Sequence, residues 1–496
     1  MTFDVAGFRA AVTPDRPAVH WDGGWTPYGA MNRRAERLAA RLRAMGVDRF
    51  DRISILAHNH LVHLDLWLAT AKAAVVYAPL NPRLSPLELR AVVDLLRPRL
   101  LLHDAAHAAV ARSLGVPTVA LEDYEAWLGV AEPAAVPAIG PEDPQMILLT
   151  GGTTGLPKGA VLPYRQQAAN AAATVLSWGL RDTDLAVQAT PCFHAAMNAL
   201  TTPLYTLGAR VALRPRFEPG AYLRLVDELG ATLLFMVPTM FQMLVDHPDF
   251  ARADLGSVRW AISGGAPCPL PLRDAFAERD VRFKQGYGLT EAGVNCFAID
   301  LGTAARKPWS VGRPILQTDA VVRRPDGAPC APGEVGELTL AGPHLFGGYF
   351  DDAEATAEVL RGGWLWTGDL ARVDEDGDLA LVGRRKDLFI SGGENVYPAE
   401  IAAALDDHPD VAACAVTGVP DPRWGEVGLA AVVLREGARL GADDVRAFLK
   451  ARLASYKVPK HVRFLDALPV SGAGKVLVRQ LRDDFVAQRA TEGRPA

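Results

Sequence analysis

Ten consecutive residues, TGGTTGLPKG from Thr150 to Gly159, collect glycines, hydroxyls and one ammonium into a single short segment. Glycines such as Gly151 and Gly152 let a backbone turn tightly and bring its N–H groups against a polyanion. Thr150, Thr153 and Thr154 add hydroxyl donors, and Lys158 adds a point charge. The chemistry this permits is phosphate binding. A Walker A loop requires G-x-x-x-x-G-K-[ST], whereas Lys158 follows Pro157 and precedes Gly159. That template fails. Either the segment holds phosphate by another route or it is a turn.

The elements around it say where such a loop would sit. Met146 to Leu149 reads as a strand and Arg165 to Trp178 as a helix, so the loop is expected directly after a strand and before a helix. Further strands are expected at Ile53 to Leu56, Ala209 to Leu213, Thr232 to Val237, Val258 to Ile262 and Val281 to Lys284. Helical patterns fall at Ala30 to Met45, Ala221 to Leu229 and Thr239 to Asp246. In the first of these helices Ala35, Leu38, Ala39, Leu42 and Met45 recur at helical spacing. Alternation of strands and helices over this length implies an α/β fold with largely parallel sheets. After about Gly302 the texture becomes strand-rich and turn-rich, with Asp-Gly turns at Asp326-Gly327 and Asp376-Gly377, which predicts a β-rich subdomain. Helix and strand patterns resume from Ile401 in a compact α+β tail. The charged GRRKD stretch, Gly383 to Asp387, marks the boundary. The expected organisation is an N-terminal domain over 1–384, a hinge at 385–387 and a C-terminal domain over 388–496.

A chain of 496 residues is too long for one ordinary core and needs at least two domains. With 49% hydrophobic and 22% charged residues and a net charge of −5, it has the composition of a soluble globular protein. No basic stripe recommends a nucleic-acid partner. The five cysteines lie far apart without a CxxC pair, which argues against a disulfide framework and a thiolate zinc site and suits a reducing cytoplasm. The N-terminus lacks the apolar core of a signal peptide, and the apolar runs are too short to span a bilayer. A cytoplasmic protein without a membrane span is expected, as a monomer or homodimer.

Seven further segments follow the loop: PCFH (Pro191 to His194), SGGAP (Ser263 to Pro267), GYGLTEAG (Gly286 to Gly293), GELTLAGPHLFGGYF (Gly336 to Phe350), WTGD (Trp366 to Asp369), GRRKDLFISGGENVYPAEI (Gly383 to Ile401) and PVSGAGK (Pro469 to Lys475). In composition and order they resemble the motifs of the AMP-forming acyl-CoA synthetases, the adenylate-forming family that includes peptide-synthetase adenylation domains and luciferase. The resemblance covers almost the whole chain. It implies a large N-terminal AMP-binding domain and a small mobile C-terminal domain that carries a catalytic lysine.

The same resemblance assigns roles. Thr150, Gly151, Gly152, Thr153, Thr154 and Lys158 would clamp the outer phosphates of ATP. Gly264, Gly265, Ala266 and Pro267 would border the nucleotide together with Gly286, Tyr287 and Gly288, with Tyr287 stacking on adenine. Thr290 would bond the α-phosphate and Glu291 would hold Mg2+. Asp369 and Arg384 would bind the ribose. Lys475 would enter the site from the small domain and bridge carboxylate and ATP. Relatives more often carry PSGK where this chain has SGAGK, a modest departure that keeps Gly474 and Lys475. Lys386 falls at the hinge, and Gly392, Gly393, Glu394 and Trp424 would border the coenzyme A channel. His194 would gate the acyl pocket, for which Met197, Asn198, Val237, Gly265 and Asn295 are the candidates. Relatives usually follow this histidine with glycine, so Ala195 to Asn198 leave the pocket's shape open.

Activating a carboxylate brings two anions, the acid and the α-phosphate, into contact, and the site must offset that repulsion. The reaction implied by the resemblance is a two-step ligation of a small carboxylic acid, using ATP, Mg2+ and coenzyme A. A carrier protein, an amine or nitrite remain alternative acceptors, and a silent nucleotide-binding relative is the alternative outside enzymology. The pocket candidates mix apolar and amide side chains, which suits an aryl, medium-chain or polar-tagged acid.

Overall fold

The computed structural model describes residues 3–129, 138–150, 157–391, 394–470 and 476–491. Two sheets dominate the first part of the chain. One has the strand order Thr118–Ala120, Leu100–His103, Arg52–Leu56, Val76–Tyr77, Pro144–Thr150 and Lys158–Pro163. The other runs Phe283–Gln285, Trp260–Ser263, Leu233–Met236, Leu185–Gln188, Arg210–Leu213, Pro17–Trp21 and Gly24–Pro27. Every pair is parallel except the last in each order. Strands such as LLFM and WAIS are apolar along their length because helices cover both faces of a parallel sheet. The helix Tyr28–Ala44 buries Met31, Ala35, Leu38, Ala39 and Leu42 on one stripe, as its spacing predicts.

One expectation is corrected here. The segment after Pro144–Thr150 does not lead straight into a helix. A second strand, Lys158–Pro163, returns antiparallel with Thr150 opposite Lys158, and only then does the helix Tyr164–Trp178 begin. The glycine–threonine segment therefore joins two strands of a hairpin. Among the described residues, the helix Tyr164–Trp178 starts only after this second strand, so the element that follows the segment in the chain is a strand and not a helix N-terminus.

A third sheet is wholly antiparallel, in the order Phe297–Ala298, Ser310–Pro314, Leu379–Arg384, Trp364–Val373, Gly336–Ala341 and Asp319–Arg323, with Leu360–Arg361 added on Trp364–Val373. It is not a detached unit. Ile55, Leu148 and Leu162 of the first sheet share one continuous core with Tyr287, Leu338, Leu340 and Leu365. After Arg384 the chain leaves this sheet, and from Phe389 it builds a fourth one. That sheet has Glu394–Val396, Phe389–Ser391, Gly425–Leu434 and Val411–Asp421 in order, with His461–Phe464 parallel to Gly425–Leu434. Among the described residues no helix is long and apolar enough to cross a membrane.

The helix Pro398–Asp406 covers this last sheet, with Ile401 and Leu405 in a core that includes Val416 and Val432. At its end Asp406 Oδ1 lies 3.3 Å from Cys414 Sγ. Burial pushes the Asp406 carboxyl up to about 6 from the ordinary 3.8; the thiol contact opposes this and Asp407 adds to it. The folded chain thus keeps a proton that the unfolded chain releases. The contribution to stability is complete below about pH 3.8 and is lost as pH rises through about 6. Asp406→Asn is expected to raise the stability of this region by about 1–2 kcal/mol near pH 8 and to change it little near pH 4. Urea unfolding at both values measures this, and a variant weaker than the parent near pH 8 would contradict it.

Candidate active site

The nucleotide candidates lie where parallel strands end. Trp260–Ser263 runs into SGGAP and Phe283–Gln285 into GYGLTEAG, and ligands of open α/β sheets bind at such carboxyl ends. Gln285 ties the two loops: its Nε2 donates to Ala266 O at 3.1 Å and its Oε1 accepts from Cys268 N at 3.0 Å. Gly286 N donates to Ser263 O at 2.7 Å. Gly264 is buried, while Gly265, Ala266 and Pro267 are exposed. Gly288 is forced by packing, since a Cβ there would stand 1.7 Å from Val294 O.

Tyr287, Asp369 and Arg384 form one cluster. Tyr287 is buried with its ring edge-on to Phe297, centroids 5.8 Å apart, and its hydroxyl donates to Asp369 Oδ2 at 2.6 Å. Burial and the Asp369 charge push the phenol well above its usual range, so it stays a donor. Arg384 Nε lies 3.1 Å from Asp369 Oδ1. The pairing follows from sheet register, because Asp369 and Arg384 stand opposite each other on Trp364–Val373 and Leu379–Arg384. Asp369 is 7% exposed, and Arg384 is exposed.

The second cluster surrounds Glu291. Thr290–Ala292 is a single 3-10 turn held by Gln166 Nε2, which donates to Thr290 O at 3.1 Å, and by Phe346 N, which donates to Glu291 O at 2.8 Å. Glu291 Oε1 accepts from Tyr349 Oη at 2.9 Å. Among the described residues no lysine or arginine pairs with this half-buried carboxylate. A carboxylate with one neutral donor and no cationic partner fits a metal ion. Lys158 Nζ stands 5.1 Å from the Tyr349 ring centroid and 4.0 Å from Asp352 Oδ2, so the hairpin lysine and Glu291 share Tyr349 as a neighbour. The sequence reading missed Tyr349, although it lies inside the quoted segment GELTLAGPHLFGGYF. Asp374, Asp376 and Asp378 also have the spacing to hold a cation. There, Lys307 Nζ already stands 2.6, 2.6 and 2.7 Å from the three carboxylates and occupies the position a cation would take.

The acyl candidates separate. Val237 and Gly265 adjoin, with Val237 Cγ1 3.6 Å from where a Gly265 Cβ would sit. His194 is half-buried in the turn after Cys192 and Phe193, its N–H donating to Pro191 O at 3.2 Å. Met197, Asn198 and Asn295 are packed inside, at 0%, 3% and 2% exposure. The Asn295 amide donates to Thr174 Oγ1 at 3.0 Å and Ala199 O at 2.9 Å, so its donors are committed to joining two helices. In the last sheet, Ser391 stands opposite both Glu394 and Gly425, which brings Glu394 and the neighbouring Trp424 to one end of it. Trp424 is 44% exposed, with the Arg423 guanidinium 4.9 Å from its ring centroid. Lys386 is exposed in the link between the third and fourth sheets. Gly151, Gly152, Thr153, Thr154, Gly392, Gly393 and Lys475 lie outside the described residues.

Residues 8–350 match the AMP-binding enzyme family and residues 400–475 the AMP-binding enzyme C-terminal domain. The chain belongs to this adenylate-forming family. It is 42% identical over 484 residues to a feruloyl-CoA synthase of an Amycolatopsis species, covering 96% of this chain and 97% of the relative. An indoleacetate–CoA ligase of Aromatoleum aromaticum is 36% identical over 501 residues, covering 97% and 98%. Among solved structures, the o-succinylbenzoate CoA synthetase of Bacillus subtilis in complex with its acyl-adenylate intermediate superposes with a TM-score of 0.89 at 30% identity, covering 97% and 98%.

Proposed function

We infer that this chain is an ATP-dependent, AMP-forming ligase that adenylates a carboxylic acid and passes the acyl group to coenzyme A, and that its acid carries an aromatic ring. The buried Asp369 carboxylate, set between the Tyr287 hydroxyl and the Arg384 guanidinium at the mouth of the parallel sheet, carries the nucleotide half of this reading. The acid is inferred from likeness: the relatives named for ferulate, indoleacetate and o-succinylbenzoate all take acids that bear a ring. Val237 beside the side-chain-free Gly265 supports a flat acyl group.

In the first step an oxygen of the acid attacks the α-phosphorus, the bond to the β,γ-unit breaks, and pyrophosphate leaves. Asp369 and Arg384 hold the ribose, the Thr150 to Lys158 segment holds the outer phosphates, and Thr290 bonds the α-phosphate. Glu291 would hold a magnesium ion, whose charge when bound would offset the repulsion between the two anions. Lys475 bridges acid and nucleotide. In the second step the thiol sulfur of coenzyme A bonds the acyl carbon, the acyl–phosphate bond breaks, AMP leaves and the thiol proton passes to solvent. The 385–387 link is the hinge about which the domain over 388–496 turns, presenting Gly392, Gly393, Glu394 and Trp424 to the thiol channel. Few residues suffice for such a rotation.

A direct test supplies ATP, magnesium and a panel of acids (hydroxycinnamic, indoleacetic, succinylbenzoic, medium-chain aliphatic), with and without coenzyme A, and measures pyrophosphate, AMP and thioester. The expected outcome is thioester formed with ring-bearing acids in preference to the aliphatic one. Pyrophosphate without thioester would move the acceptor to an amine or carrier protein. No acid-dependent pyrophosphate would overturn the reading.

A further inference from the structure

We propose that Tyr349 is a positioning residue that sets the magnesium carboxylate Glu291 and the phosphate lysine Lys158 relative to each other. The proposal rests on the adenylating function inferred above.

Residues 346–350 are stitched to both sides of the phosphate end. On one side they extend the outer strand of the first sheet. Gly347 N donates to Val161 O at 2.8 Å, Val161 N to Gly348 O at 2.9 Å, and Phe350 N to Gly159 O at 2.7 Å, with Ala160 opposite Tyr349. On the other side, Phe346 N donates to the Glu291 carbonyl at 2.8 Å. The segment thus bridges the strand that begins at Lys158 and the turn that carries Glu291. Its chain direction is fixed by backbone bonds, independent of the Tyr349 side chain.

That side chain then does two separable things. The hydroxyl donates to Glu291 Oε1 at 2.9 Å, holding one carboxylate oxygen and leaving Oε2 for a ligand. The ring face lies 5.1 Å from Lys158 Nζ, within the range in which an ammonium is attracted to an aromatic quadrupole. Asp352 Oδ2 lies 4.0 Å from the same ammonium. Tyr349 is half-buried and borders a shallow open depression with Asp351, Asp352 and Thr356.

The two functions can be pulled apart. Tyr349→Phe keeps the ring under Lys158 and removes only the donor to Glu291; Tyr349→Leu removes both. A hydrogen bond to a charged group is worth roughly ten- to a hundredfold in an equilibrium constant, and the lower end applies where the carboxylate stays in place and loses one donor. The expected result for Tyr349→Phe is a rise of about tenfold in the magnesium concentration needed for half-maximal ATP binding, with ATP affinity in the absence of magnesium unchanged. For Tyr349→Leu, both quantities worsen. Binding is read by calorimetry or tryptophan fluorescence with ATP and magnesium alone, so no turnover enters the measurement. Thermal unfolding of each variant accompanies it. Thioester formation from supplied acyl-adenylate, which has no outer phosphates, is expected to be unchanged in Tyr349→Phe. A Tyr349→Phe protein with the parent's magnesium dependence overturns the proposal, as does a loss of magnesium-free ATP affinity in that variant. Failure of the parent protein to bind ATP at all would instead overturn the adenylating function itself.

Discussion

Replacing Lys475 with alanine is expected to slow adenylation by about 10²–10³-fold while sparing transfer of the acyl group from a supplied acyl-adenylate to coenzyme A. The asymmetry follows from where charge develops. In the first step two anions meet, and the transition state spreads negative charge over the attacking carboxylate and the α-phosphate. A fixed ammonium between them is worth far more there than in water. In the second step the nucleophile is a thiol, the electrophile is already activated, and AMP leaves with its charge on a phosphate that Thr290 is proposed to bond. Pyrophosphate exchange with the acid measures the first step, and thioester formation from synthetic acyl-adenylate measures the second. Equal losses in both would remove the assigned role. Lys475→Arg separates charge from shape: a guanidinium keeps the charge but spreads it over a planar fork, so partial recovery at most is expected.

Which features were legible in the sequence depended on whether their cause was local. The strands Leu233–Met236 and Trp260–Ser263 were readable because burial on both faces of a parallel sheet writes an unbroken apolar run. The helix Leu61–Ala73 was not. It is buried all round, so it has no amphipathic period to detect, and three of its polar residues are satisfied by partners outside the helix. His63 Nδ1 meets Tyr77 Oη at 2.6 Å, Arg34 NH2 meets Asp65 Oδ2 at 2.7 Å, and Lys72 Nζ meets Asp4 Oδ2 at 2.7 Å. The hairpin strand Lys158–Pro163 was hidden for a different reason: its return is set by pairing with Pro144–Thr150, and nothing in KGAVLP alone distinguishes a strand from a helix lead-in.

Site residues divide the same way. The identities of Tyr287, Glu291, Asp369 and Arg384 were visible as motif members, but that three of them meet at one carboxylate depends on register. The antiparallel pairing of Trp364–Val373 with Leu379–Arg384 shifts between Leu370 and Ala371, and that irregularity is what leaves Asp369 opposite Arg384. Met197, Asn198 and Asn295 mark the opposite limit. A residue beside a motif can be a pocket wall or part of the packed interior behind it, and these three are buried at 0–3% exposure, a value that both share.

Asp369→Ala is expected to weaken ATP binding by about 10²–10⁴-fold while the maximal adenylation rate at saturating ATP falls far less. Two ribose hydroxyls donating to a carboxylate supply roughly 1.5–3 kcal/mol each, and this binding is the same in ground state and transition state, so its loss raises KM more than it lowers kcat. The apo protein adds a second cost. Asp369 accepts the buried Tyr287 hydroxyl at 2.6 Å and pairs with Arg384 at 3.1 Å; removing the carboxylate takes away the buried phenol's main acceptor and leaves it the Thr367 hydroxyl, a penalty of up to about 1–3 kcal/mol. Tyr287 is packed edge-on against Phe297 and its neighbour Gly288 has no room for a Cβ, so the ring cannot swing far to find a new acceptor. Asp369→Ala should therefore lower thermal stability as well, whereas the double variant Asp369→Ala with Tyr287→Phe should recover that stability without recovering ATP affinity. Titration of AMP and ATP against the three proteins, alongside their melting temperatures, measures both. Restored nucleotide affinity in the double variant would show that the loss came from the disturbed tyrosine, and Asp369 would then have no direct hold on the ribose.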